Sequence, residues 1–281
     1  MKRILKLVGL LVLIVFSFFY TDKVVSVIRE TDPLMDKIES VKDKYKVKPI
    51  DSVISGNTII PGINGRSVNL DKSYKNMHDD GLFDENKIVY DVVRPNISLF
   101  DNRDKFIIRG NDGRKMVSIV FVLDNDKYLN KLEDIIDSKN VDINYFVSYN
   151  YLVSNAIVIK KMNNGEFYNY GDKGVYTPDN ILFANNLISR ITDNEAIYCL
   201  SISKNIKVLR LCGNNDLYTI VPNIIVKDNP YQEIKNNLSN GSIIFMEMNN
   251  NTVTEIGIII DYIKGKGLEI VSLSKLLSEN L

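Results

Sequence analysis

Residues 116–126 read MVSIVFVLDND: an apolar, largely β-branched run from Met116 to Leu123, interrupted only by Ser118, that stops abruptly at Asp124, Asn125 and Asp126. A run this long without alternation predicts a strand buried on both faces, as in a parallel sheet covered by helices. Immediately downstream, Leu129, Leu132, Ile135 and Ile136 fall on one face of a helix, and residues 142–148 (DINYFVS) return as a second strand. The alternation continues to the C-terminus. Helices are expected over 151–162, 178–191, 230–238 and 253–264, where Pro178 and Pro230 suit a first helical turn. Strands are expected over 167–170, 197–200, 208–211, 217–221, 242–246 and 268–271. Strand and helix in turn predict a β/α architecture over 116–281.

Upstream of Lys115 the pattern is different. From Ile50 to Arg114 the chain is punctuated by SGNT, PGINGR, DDG, RPN and GNDGR, with short β-prone runs at 58–60, 88–93 and 106–108. This spacing predicts a small β-rich region over 50–115. The turn-dense stretch around Gly62, Asn64 and Gly65 reads as turn dihedrals with Tyr74 packing nearby, and His78 reads as a surface residue. Residues 24–49 carry dense mixed charge and a weak helical spacing of Leu34, Ile38 and Val41 interrupted by Pro33, which predicts a partly helical stalk. At the N-terminus Lys2, Arg3 and Lys6 precede an apolar run from Leu7 to Tyr20. Residues 1–23 read as a transmembrane signal anchor, with a cleaved secretory signal as the rival; the large residues Phe18, Phe19 and Tyr20 stand where a cleavage site needs small ones. The charged flank on the N-terminal side would place everything after it outside the cytoplasm, giving a single-pass membrane protein with an extracytoplasmic C-terminal domain.

Charge excludes one class of partner. The chain balances 35 basic against 35 acidic residues, and without residues 1–23 it has 31 against 34. A nucleic-acid binder would show a basic excess or stripe. The two cysteines, Cys199 and Cys212, lie in or beside consecutive expected strands. They form a disulfide if those strands are neighbours, and are reduced core residues otherwise. Neither has a histidine nearby in sequence to activate it as a nucleophile.

The order VSIVFVLDND, KLEDIIDSKNVDINYFVS, NNGEFYNYG, NGSIIFMEM and IIDYIKGKGLEIVSLSKLL resembles the polysaccharide deacetylase family, the NodB-homology domain, over residues 116–281. The resemblance implies a distorted β/α barrel with its site at the C-terminal ends of the strands. It also implies hydrolysis of N- or O-acetyl groups from cell-wall glycans, using a divalent metal held by one Asp and two His, an Asp base and a His acid. Matched residue by residue, the base position is Asp124 and the metal-binding Asp is replaced by Asn125. The two metal-binding histidines are replaced by Tyr170 and Gly174, and the acid histidine by Glu247. The Arg-Pro-Pro motif is echoed only by Leu209, Arg210 and Leu211, so no role passes to Arg210.

The metal in such a site polarises the acetyl carbonyl and lowers the pKa of a bound water. A lone retained base supplies about 10² to 10⁴ of rate, far below what amide hydrolysis requires. The sequence therefore reads as a catalytically inactive deacetylase-like protein with no cofactor, binding cell-wall polysaccharide or an envelope protein. Tyr145, Tyr149, Tyr168, Asn169 and Tyr170 would line the glycan groove, although tyrosines near strand ends also serve packing. The alternative is an active metal-dependent carbohydrate deacetylase with a rearranged site, in which Asp124, Asp126, Asp172 and Glu247 hold a hard cation through oxygen ligands.

Overall fold

The computed structural model describes residues 32–162, 165–192 and 194–281, together with Leu13 and residues 15–17. In chain order the elements begin with α1 (Pro33–Tyr45), β1 (Val53–Ser55), β2 (Thr58–Ile60), β3 (Gly65–Val68), α2 (Leu70–Met77), β4 (Tyr90–Val93) and β5 (Phe106–Ile107). The β/α part follows with β6 (Met116–Leu123), α3 (Leu129–Lys139), β7 (Asn144–Val147), α4 (Tyr149–Lys161), β8 (Glu166–Asn169), α5 (Pro178–Ile191) and β9 (Tyr198–Leu200). It ends with α6 (Ile206–Gly213), β10 (Tyr218–Ile220), β11 (Ile224–Ile225), α7 (Pro230–Asn237), β12 (Ile243–Met246), α8 (Asn250–Gly265), β13 (Glu269–Ile270) and α9 (Leu273–Leu277).

The chain divides into two compact units, with limits after Pro49, Ile63 and Arg94. One unit takes the described residues through Pro49 together with Asn64–Arg94; the other takes Ile50–Ile63 and Pro95–Leu281. In the first, α1 buries Leu34, Met35 and Ile38 against Tyr74, Met77 and Ile88, beside the antiparallel pair β3–β4. The helix lies within the stretch expected as a partly helical stalk, and it is packed through these residues. Pro33 opens that helix at its first turn, where its missing N–H costs nothing, and Asp32 caps it by accepting from the Leu34 N–H at 2.8 Å. His78 closes α2 with an exposed side chain.

The second unit is built on an eleven-stranded sheet in the order β1-β2-β5-β10-β9-β8-β7-β6-β12-β11, with β13 also pairing β6. Every pair except β1–β2 is parallel. The sheet has two ends, β1 and β11, so it is a curled, open barrel flanked by helices. The strand that decides the fold, β6, has three partners, and Val117 to Phe121 are buried throughout. Strands β2 and β5 extend this sheet, which is why residues 50–63 and 95–115 belong to it.

Alternate side chains build a ladder of aromatics on each sheet face, as the two-residue period requires. Phe121, Tyr145 and Phe167 stack along β6, β7 and β8 on one face, and Phe146, Tyr168, Tyr198 and Tyr218 follow β7 to β10 on the other. At the N-terminal ends of the strands, buried Asn144 accepts from the Leu273 N–H at 2.7 Å and donates to the Ile119 carbonyl at 2.9 Å. This ties α9 to the central strands. The Glu279 carboxylate accepts from the Ser52 hydroxyl and the Leu99 N–H, each at 3.0 Å, fastening the C-terminus to the segments that enter the sheet.

Two further expectations are corrected. Residues 208–211 are helix α6, not strand: Asn205 caps it, and Val208, Leu209 and Cys212 face inward at helical spacing. The single-pass membrane localisation is overturned, because among the described residues no helix is long and apolar enough to cross a membrane. Apart from Leu13 and residues 15–17, the 1–23 stretch on which that expectation rests lies outside the described residues.

Candidate functional site

The strand register decides which residues emerge together. Met246 of β12 pairs with Phe121 of β6, Leu123 of β6 with Val147 of β7, and Val147 with Asn169 of β8. Asp124, Tyr170 and Glu247, the residues that follow β6, β8 and β12, therefore leave the same edge of the sheet. Asp124 and Glu247 are exposed and Tyr170 is half-buried. Burial first, and then the negative charges of Asp124 and Glu247, push the Tyr170 phenol above its ordinary value. The three side chains thus share one electrostatic neighbourhood. It brings a phenol and two acidic side chains to one edge of the sheet.

The local backbone explains how Tyr170 is aimed. Its N–H donates to the Val147 carbonyl at 2.9 Å, continuing the sheet, and its own carbonyl accepts from the Gly174 N–H at 2.9 Å, closing a turn. That turn uses left-handed backbone at Gly171, Lys173 and Gly174. A Cβ built at Gly174 would lie 3.3 Å from the Tyr170 hydroxyl. So the two positions matching the metal-binding histidines are neighbours, and the tyrosine at one fills the room beside the other. Asn125, also exposed, is engaged as well: its amide donates to Asp124 Oδ1 at 2.6 Å and accepts from the Lys127 N–H at 3.2 Å.

These residues do not fit a divalent metal. A phenol ligates as its anion, and here the charges around Tyr170 oppose ionisation; Gly174 offers no side chain, and Asn125 is a neutral group already bonded. Nor is the oxygen-only set assembled. Among the described residues no three Asp, Glu, His or Cys side chains are placed to share one ion, and Asp172 instead accepts from Asn150 at 3.1 Å. What the mouth offers is hydrogen bonding, with the Tyr170 hydroxyl and the Asn125 amide as donors and the exposed carboxyl groups as acceptors.

Three of the residues expected to line a glycan groove are in the core. Tyr145 is fully buried and its hydroxyl donates to Glu133 on α3. Tyr168 is buried likewise, donating to Glu166, which also accepts from the Ser274 N–H at 3.0 Å near the opposite end of the strands. Asn169 is buried and structural: Oδ1 accepts from the Gly171 N–H at 2.7 Å, and Nδ2 donates to the Asn180 carbonyl at 3.3 Å. The period of two misleads here, because in a sheet covered on both faces neither parity reaches solvent within the strand. Tyr149, just past β7, is partly exposed and its ring meets Phe183 edge-on at 5.8 Å.

Two site-forming tyrosines escape the sequence reading. The Tyr176 hydroxyl sits between the Asn169 and Leu200 carbonyls at 3.1 and 3.0 Å and accepts from the Leu200 N–H at 2.9 Å, pinning the 170–177 loop to the strand ends. Tyr151 lies near the 124–126 turn; burial, and then the charge of Asp126, hold its phenol above the ordinary value. Only the turn-rich NYGDKGVYTP stretch hinted at the first. The cysteine pair is a disulfide linking β9 to α6, with Cα atoms 6.5 Å apart and both residues fully buried.

Comparison with known proteins agrees with this frame. The chain matches no protein-family profile. It is 26% identical over 282 residues to YlxY, an uncharacterised protein of Bacillus subtilis, covering 91% of this chain and 86% of that one. Among solved structures it is similar to BA3943 of Bacillus anthracis, a CE4 family pseudoenzyme, with a TM-score of 0.66 at 22% identity over 89% of this chain and 96% of that one. A BA3943 mutant with restored enzymatic activity matches at the same TM-score. PdaA of Bacillus subtilis, a family 4 carbohydrate esterase, matches at 0.54 and 18% identity over 64% of this chain and 87% of that one. At these identities the likeness shows the fold, which is that of the CE4 carbohydrate deacetylases and of a pseudoenzyme among them.

Proposed function

We propose that this chain is a catalytically silent deacetylase-fold protein that holds a cell-wall glycan at the strand-end mouth without cleaving it and without a metal cofactor. The observation that carries the reading is the Tyr170–Gly174 pair. The phenol occupies the space beside a glycine where the resembled family's ligands would converge, and burial first, then the charges of Asp124 and Glu247, disfavour its ionisation. Without a metal-activated water, Asp124 alone has nothing to activate at useful rate. The exposed carboxylates and the neutral phenol still suit sugar hydroxyls, which both donate and accept. A fold resembling glycan-acting esterases and a pseudoenzyme supports the reading.

The test is co-sedimentation of the full-length protein with insoluble peptidoglycan and with other wall polymers. The protein is expected in the pellet with at least one of them. Complete recovery in the supernatant with every polymer would remove the glycan reading.

A further inference from the structure

Beside the mouth, but separate from it, lies a cavity of about 790 Å³, within the range of about 300–1,000 Å³ usual for small-ligand sites. Its walls are the first turn of α4, the loop after Tyr170, and the outward face of α5. Neither Asp124, Tyr170 nor Glu247 lines it. Its chemistry is specific. Phe183 is 51% exposed on an outward helix face, an unusual placement for a large apolar ring, and Tyr149 braces it edge-on at 5.8 Å with the planes at 67°. Around this pair stand planar polar groups: the Asp172–Asn150 pair, Asn186 and Arg190. The α5 wall is made rigid by a capping box in which Thr177 and Asn180 bond each other's backbone N–H groups at 3.2 and 2.9 Å.

We infer that this cavity is a sugar-binding subsite, in which the apolar face of a pyranose ring stacks on Phe183 while ring hydroxyls bond the surrounding amide, carboxylate and guanidinium groups. An aromatic ring beside groups that donate and accept is the complement of a ring with an apolar face and an equatorial belt of hydroxyls. Charge selects the occupant further. Two carboxylates, Asp172 and Asp179, against one guanidinium, Arg190, disfavour an anionic ligand and suit a neutral glycan. The inference rests on the glycan-holding function proposed above and assigns the ring-stacking contact to the α4–α5 cavity.

The chain contains no Trp, so Phe183→Trp in the full-length protein installs a single fluorescent reporter that preserves stacking, and Phe183→Ala removes it. Binding is measured by co-sedimentation with peptidoglycan and by titration with a soluble N-acetylated chitooligosaccharide, with circular dichroism verifying the fold of each variant. Phe183→Ala is expected to bind about tenfold more weakly. Phe183→Trp is expected to bind like the wild type, with its emission shifting as sugar is added. Wild-type binding with Phe183→Ala unimpaired, or a Phe183→Trp emission indifferent to bound sugar, overturns the subsite and leaves the glycan-holding function standing. Failure of the wild type to bind any polymer overturns both. If Phe183→Ala does not fold, the Phe183→Trp titration decides.

Discussion

At position 174 the backbone holds φ at +85°, a conformation that glycine tolerates and side chains resist, and the Tyr170 hydroxyl stands where a Cβ would need room. The positive φ alone strains any side chain placed there. Gly174→Ala is expected to destabilise the fold by about 1–3 kcal/mol, read as a lower urea midpoint at unchanged slope. A neutral result would show that the turn relaxes freely and that Tyr170 is not fixed beside it. These two positions also show what was legible at this scale. That histidines are missing at 170 and 174 can be read from the sequence, because motif order survives around Glu166 and Asn169. That Tyr170 turns into the room beside Gly174 cannot, since it depends on consecutive left-handed residues for which Lys173 gives no sequence warning. Tyr145 and Tyr168 fail in the opposite way: a strand tyrosine looks available until a Glu on a covering helix or on its own strand takes its hydroxyl.

Among the elements, α6 departs most from its expected form. The apolar KVLRLC run has the β-branched and leucine content of a buried strand, and only Asn205 before it signals a helix start. The helical assignment has a consequence for the cysteines, because it brings Cys212 over β9 and onto Cys199. Closing a loop with a sequence separation of 13 removes disorder from the unfolded chain worth about 3 kcal/mol. The double variant Cys199→Ala/Cys212→Ala is therefore expected to lose about that much in urea denaturation, whereas reductant added to the folded protein should act slowly because both sulfurs are buried. Equal stability with and without the bridge would mean that packing of α6 on β9 already orders the segment. The strands themselves were readable: β6, β8, β9, β10 and β12 lie where apolar runs predict them, within a residue or two at their ends.

For the molecule as a whole, the legible part was the β/α succession after Lys115, and the illegible part was where the preceding residues belong. Short runs such as 58–60 and 106–107 carry no label saying that the second pairs with β10 of the β/α sheet and the first with the second. The buried tyrosines provide a test of the core that spans the sheet. Burial pushes the phenols of Tyr145, Tyr168, Tyr176 and Tyr198 well up, with neighbouring carboxylates adding to this at Tyr145, Tyr168 and Tyr198. Their folded pKa values exceed the unfolded value of about 10, so the stability they contribute is complete below about pH 10 and is lost as pH rises toward the folded values. Each phenol lowers stability by up to about 1.4 kcal/mol per pH unit in that window, so denaturation midpoints should fall steeply above about pH 10. Midpoints level through about pH 11 would contradict this burial.

The most direct test of the central claim, that the scaffold has lost its deacetylase chemistry, is acetate release. Full-length protein is incubated with an acetylated chitooligosaccharide and zinc, cobalt or manganese, and free acetate is measured against a no-protein control. No release above the control is expected with any metal; metal-dependent release that a chelator abolishes would show that the chemistry is retained.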